Sequence, residues 1–197
     1  MAKKILKGLL GCMLSSLLIT GCASTPPTRF YVLEAMNETG QSPTTGEKRL
    51  IGIGPVSIPA LLERKQIVTR VENNSVQIAE FHHWAAPLKD NIAEVITHNL
   101  AALQPNDIIR SYPWGAFGVV EYRVIVDIQR FDSEPGQSVS LEASWAIMNE
   151  KNHKTLANGR SKIERPLPDS SYAGTVKALS TLLSEFSQEL SLALNNR

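Results

Sequence analysis

Three successive runs of alternating apolar and polar residues fill positions 121–163, and this pattern limits the fold more than any other. Tyr122, Val124, Val126 and Ile128 fall on one side of the first run, with Arg123, Asp127 and Gln129 on the other. Val139, Leu141, Ala143, Trp145 and Ile147 repeat the pattern, and residues 155–163 return it. A period of two is that of a strand with one buried face, and short turns between such runs predict an antiparallel meander. A sheet with one apolar face must be covered. Two stretches can do so: Leu88, Ile92, Val95, Ile96, Leu100 and Leu103, and then Tyr172, Val176, Leu179, Leu183, Phe186, Leu190 and Leu194. Both keep steps of three and four, the helical period. On the first, Lys89, Asp90, Glu94 and Asn99 take the opposite side. Pro87 suits the first turn of that helix, and Asp169 or Ser170 the N-cap of the second. The expected fold is α+β, a two-layer domain with a mainly antiparallel sheet and two helices packed on one face.

Other strands are expected at 29–33, 50–58 and 107–111, with a hairpin of 66–71 and 75–79 around Asn73-Asn74. Gly52 and Gly54 in the second strand do not make a dinucleotide loop. The third glycine is missing, Pro55 intrudes and no helix follows, so a bulge or a close backbone approach is the expectation.

The N-terminal segment carries a different signal. Lys3, Lys4 and Lys7 precede an almost uncharged run rich in Leu, Met and Ile, which ends in Leu17-Leu18-Ile19-Thr20-Gly21-Cys22. That layout is a secretory signal, too short and too rich in Ser and Thr to span a bilayer. Its end resembles the lipobox of bacterial lipoproteins. The resemblance implies cleavage between Gly21 and Cys22, a diacylglycerol on the Cys22 sulfur and an N-acyl chain of the palmitate type on the new N-terminus. The expected organisation is a signal peptide at 1–21, a lipidated tether at 22–28 and a single periplasmic α+β domain at 29–197.

Charge and chemistry narrow the function. Of 20 basic and 19 acidic residues, three lysines and no acids lie in 1–21, which leaves 17 against 19, a net −2. Nothing there drives phosphate binding, so nucleic acid is not expected as a partner. Cys12 would leave with the signal and Cys22 would be acylated, and these are the two cysteines of the chain, so a disulfide or thiolate site is not expected. His82 and His83 beside Glu80 form a cluster that could suggest a metal, but adjacent strand residues face opposite ways. No metal, cofactor or catalytic residue is therefore assigned, and no nucleophile elbow or phosphate loop appears. Trp145 reads as core. Trp84 and Trp114 lie beside prolines, and Trp84 suits either a plug for the core or an anchor for a partner. Leu61 and Leu62 stand in a Pro-bounded connection with Glu63, Arg64 and Lys65, so at least one leucine is expected among charges at the surface.

Two segments carry a family likeness. Gly54-Pro55-Val56-Ser57-Ile58-Pro59-Ala60-Leu61-Leu62-Glu63-Arg64-Lys65-Gln66-Ile67-Val68-Thr69-Arg70 and Trp84-Ala85-Ala86-Pro87-Leu88 resemble the PqiC family, auxiliary lipoproteins of MCE-type (ABC-type) lipid transport systems. Phe30-Tyr31-Val32-Leu33 also fits. Leu61 stands where an aromatic is common and Lys65 where proline is common.

The resemblance implies a non-enzymatic subunit that receives, at the outer membrane, the end of a hydrophobic MCE-domain tunnel protein anchored in the inner membrane. Lipids would pass between the membranes, and envelope integrity would be the outcome. It implies self-association as well, and a ring would match a symmetric tunnel. Ala23 and Ser24 follow Cys22, so the Asp that retains enterobacterial lipoproteins in the inner membrane is missing. Leu61, Leu62, Arg64 and Trp84 are the expected partner-binding residues. A lipid carrier would instead need a cavity between helices and sheet, and a periplasmic hydrolase a Ser-His-acid cluster in a cleft.

Overall fold

The computed structural model describes residues 25–37, 48–72, 74–115 and 118–196. Gly21, Cys22, the rest of the expected signal, the start of the tether and Asn73 lie outside the described residues.

The strands are β1 (Arg29–Tyr31), β2 (Leu50–Ser57), β3 (Gln66–Glu72), β4 (Ser75–Trp84), β5 (Ile108–Ser111), β6 (Tyr122–Glu134), β7 (Ser138–Asn149) and β8 (Lys154–Pro166). The helices are α1 (Leu88–Leu103) and α2 (Tyr172–Asn195). The α+β class and the helix-on-sheet layering are as expected. The strands, however, form two sheets, one ordered β5-β2-β6-β7-β8 and one ordered β1-β4-β3. The long β6–β7 and β7–β8 ladders are antiparallel, whereas β2 runs parallel to both β5 and β6. Most of the paired length is thus antiparallel, with short parallel ladders at β2 and between β1 and β4.

The meander buries the face its pattern predicts: Val124, Val126 and Ile128 on β6, then Val139, Leu141, Ala143 and Ile147 on β7. A register shift between Ile128 and Arg130 lets Phe131 turn inward as well. Trp145 is half-buried on this face, its ring against Gly159 and its Nε1–H donating to Ser161 Oγ at 3.1 Å. The first helix lies on β2 and β5, and α2 on β6, β7 and β8, with the two helices touching. Ile92, Ile96, Leu100, Leu179, Leu183 and Phe186 fill the space between helices and sheet. Each fully buried side chain of this kind stabilises by about 1.5–3 kcal/mol.

Two expectations are corrected. The N-cap of α2 is Ser171, not Asp169 or Ser170. Ser171 is extended and its Oγ accepts from Gly174 N–H at 3.0 Å, while Asp169 accepts from the Ser171 N–H at 2.8 Å. Asn99 does not face solvent with Lys89 and Glu94. It is fully buried, because its Oδ1 accepts from Met36 N–H at 2.7 Å and its Nδ2 donates to Ser187 Oγ at 3.2 Å. Further along the same seam, Gln104 donates to Ser191 Oγ at 2.7 Å. The chain after β1 lies along the helix pair, held by Leu33 N–H to Asn91 and Glu34 N–H to Ser180 as well.

Pro87 sits at the N-cap of α1, one residue ahead of the first turn. Gly52 and Gly54 behave as the close approach and the bulge. A Cβ at Gly52 would lie 2.8 Å from the Trp114 ring. Gly54 has φ +127° where the β2–β6 register shifts.

Candidate functional site

The chain between β2 and β3 makes one 3-10 turn, Ala60–Leu62, after Pro59. Leu62 N–H donates to Pro59 O at 2.8 Å and Glu63 N–H to Ala60 O at 3.2 Å. A turn this tight points consecutive side chains in different directions. Leu62 enters the core, and Leu61 is left 37% exposed. Arg64 folds back and its Nε–H donates to Leu61 O at 2.8 Å, which fixes the charge beside the exposed leucine.

The end of β4 closes onto the same place. Trp84 N–H donates to Lys65 O at 2.6 Å, and Ala85 N–H to Tyr31 O at 2.8 Å. Trp84, only 6% exposed, belongs to the core. Its ring helps to floor an open groove of about 490 Å³, with Ile58 and Ala85 to Leu88 as apolar walls and Glu63, Arg64, Lys65 and Lys89 as the charged rim. The rim carries three basic groups against one acidic. Of the expected contact residues, Leu61 and Arg64 therefore stand at the surface, Leu62 lies in the core and Trp84 floors the groove. Its position is beside the connection and the start of α1, outside the filled helix–sheet interface where a carrier cavity would lie.

The two histidines separate as adjacent strand residues do. His82 stacks between Tyr31 and Tyr172, at centroid distances of 5.6 and 4.0 Å, and its Nδ1 is hydrogen-bonded to the Tyr31 hydroxyl at 2.7 Å. Burial, then the nearby charges of Arg29 and His83, hold its imidazole below the usual range. Burial, followed by Tyr31, raises the Tyr172 hydroxyl. His83 Nε2 bonds Glu80 O at 3.0 Å, with the Phe30 ring edge-on at 6.0 Å. Among the described residues no group of three or more His, Cys, Asp or Glu is placed to hold a metal ion. No helix among them is long and apolar enough to cross a membrane.

A family model described as the ABC-type transport auxiliary lipoprotein component matches residues 31–191. The chain belongs to that family. It is 22% identical over 174 residues to the intermembrane transport lipoprotein PqiC of Escherichia coli K12, covering 87% of this chain and 89% of that one. The likeness to the Shigella flexneri protein of the same name is the same. A crystal structure of an uncharacterized protein superposes with a TM-score of 0.73 at 19% identity, covering 86% of this chain and 99% of that one. A Xanthomonas campestris protein gives 0.66 at 15%, covering 83% and 93%. The solved structures bear on the fold alone. The family makes the protein a PqiC-like auxiliary lipoprotein of a transport system, which implies a non-enzymatic part.

Proposed function

We propose that this protein is an outer-membrane-anchored periplasmic lipoprotein that receives the end of an MCE-domain tunnel protein and so helps lipids pass between inner and outer membranes. In this reading residues 1–21 are removed, Cys22 carries the diacylglycerol and an N-acyl chain, 22–28 form the tether and 29–197 a single domain. Three acyl chains meet the requirement for stable anchoring that one chain alone does not. Copies of the chain assemble, in a ring if they follow the symmetry of the tunnel.

One observation carries the reading. The two segments with the family likeness meet around one groove with an apolar floor and a charged rim, and the rim residue Arg64 is bonded back to the exposed Leu61 next to it. An apolar centre within a polar rim is how protein contacts are commonly built, and Arg is among the side chains that dominate them. Leu61 and Arg64 form the contact, while Trp84 shapes the groove from beneath and the buried Leu62 pins the turn to the core. To test this, Leu61→Asp and Arg64→Glu are made separately, and retention on the purified tunnel protein is measured beside the thermal midpoint. Lost retention with an unchanged midpoint is the expected result. Unchanged retention in both variants would place the interface elsewhere, and a collapsed midpoint would assign the segment to the core.

A further inference from the structure

The small sheet has two unlike faces. One buries Ile67, Thr69, Ala79 and Trp84, and the other buries Val68 and His83 but leaves the apolar side chains around them open. On the other face, Val76 pairs with Arg70 and Ile78 with Val68, so these side chains share one side. Gln66, two residues before Val68 on β3, pairs with His83, which is in turn paired with Phe30 of β1. The register therefore puts Phe30 on the side of Ile78 and Val76. Val32, just past the end of β1, is exposed close by. These four apolar side chains are open to solvent: Phe30 66%, Val32 50%, Ile78 43% and Val76 37%. Contiguous exposed apolar groups mark sites of protein or membrane contact.

Chain length selects the membrane. Phe30 lies eight positions after Cys22, so it can be at most about 26–29 Å from it, even with the chain fully extended. A chain of this size is about 40 Å across, from a radius of gyration of about 15 Å. The tether is too short to bring the far side of the molecule to the bilayer, whereas β1 and its sheet lie at its end. Thr25, Pro26, Pro27 and Thr28 are all exposed, and the proline pair favours a stiff extended spacer over a collapsed one.

We infer that the outer face of β1-β4-β3, through Phe30, Val32, Val76 and Ile78, rests in the interface of the bilayer that holds the Cys22 lipid. This deepens the anchored reading above and depends on it. The lipid then supplies affinity and the sheet supplies orientation. An aromatic ring such as Phe30 and β-branched neighbours add apolar contact at the headgroup boundary. The meander end that carries Lys154 points away, because β3 adjoins β6 at the opposite end, where Arg70 meets Asp132 at 2.8 Å.

The test uses the full mature lipoprotein in vesicles of phosphatidylethanolamine and phosphatidylglycerol. Acylated Cys22 has no free thiol, so Phe30→Cys, Ile78→Cys and Lys154→Cys each give one site for a nitroxide. The label is probed with oxygen, which concentrates in lipid, and with a nickel chelate, which stays in water. The expected result is that labels at 30 and 78 favour oxygen over the chelate several-fold more than the label at 154. Equal, water-like behaviour at all three sites overturns the inference. Labels at 30 and 78 that are shielded from both reagents and broaden one another would show a second copy on this face, which also overturns it. Mass spectrometry of the same samples separates the two readings. Acylated Cys22 with water-exposed labels sinks only the membrane-facing sheet, while an unacylated Cys22 sinks the anchored reading and this inference together.

Discussion

The five-stranded sheet and the three-stranded sheet solve the burial problem differently. The first is sealed: two helices cover its apolar face, and Ile92, Leu100 and Phe186 are shut between the layers. The second is covered fully on one side, while on the other, around the buried Val68 and His83, Phe30, Val32, Val76 and Ile78 remain open. Apolar residues thus have two uses here. In the sealed layer they stabilise the chain. On the open face they contribute little to folding and are available to something outside it. Composition does not distinguish these uses, since both sheets are rich in Val and Ile.

The largest expected effect tests that division directly. Leu100→Ala removes a fully buried side chain facing β2 and β5, at a cost of about 2–5 kcal/mol. For a chain of this length that lowers the thermal midpoint by about 4–20 °C. Ile78→Ser on the open face should change stability by no more than about 0.5 kcal/mol, as should Glu94→Ala on the exposed side of α1. Calorimetry of the three variants side by side decides the matter. A loss at Ile78 equal to that at Leu100 would mean that the open face is core, and the comparison would fail.

A smaller effect sharpens the account of the sealed layer. Its helices are joined partly by polar groups, and Asn99 is the centre of that seam. Asn99→Ala leaves the Met36 N–H without its acceptor and the Ser187 hydroxyl without a partner on α1. A buried polar group deprived of its hydrogen bond costs about 1–3 kcal/mol. The expected result is a moderate fall in midpoint together with faster hydrogen exchange at the Met36 amide. Unchanged exchange there would show that the seam does not hold the chain after β1.

These two layers also differ in how much of them the sequence reveals. The meander and both helices were readable because each has one apolar side, and a one-sided pattern has a period. The split into two sheets, with β2 parallel to β5 and β6 in the larger one, is not readable from the pattern. Ile51 and Ile53 are fully buried, but Gly52 and Gly54, which alternate with them on the opposite face, are buried too. A strand with glycine at alternate positions looks half-exposed. Here the ring of Trp114, from far along the chain, lies over Gly52 and buries that side too. The burial of Asn99 is hidden in the sequence for a related reason. Its polarity suggests solvent, and only the partners brought by α2 and the chain after β1 make its burial tolerable. At the groove, the Pro-bounded Leu61-Leu62 pair did announce one exposed leucine. Which one it is depends on where a single 3-10 turn starts, here right after Pro59. Trp84 had two open readings as a sequence, and the hydrogen bond of its N–H to Lys65 O draws it into the core end. The outer face of the small sheet was hidden because the β3–β4 register shift, which reverses the parity of β4, cannot be counted from residue spacing.

The smallest effect concerns His82, on the covered side of the small sheet, where β1 and β4 meet the start of α2. Its neighbours are Tyr31 and Tyr172 on its two ring faces, with Arg29 and His83 as the nearby basic groups. Burial and those charges lower its affinity for a proton in the folded chain. In the unfolded chain the imidazole regains its ordinary value of about 6.5 and so takes up a proton first as pH falls. Stability therefore rises with pH through this window. The contribution is complete above about 6.5 and is lost as pH falls from there through the folded value. His82→Phe keeps a ring between the two tyrosines and removes the titration, although it also removes the hydrogen bond to the Tyr31 hydroxyl. The midpoint of the unmodified chain should drop more between pH 7.5 and 5 than that of the variant, with the difference confined to that range. Because the site is only half-buried, the difference should be smaller than either loss described above. Parallel pH profiles would show that the stack at His82 joins the sheet to α2 by packing alone, and that the small sheet carries no acid-sensitive joint on its covered face.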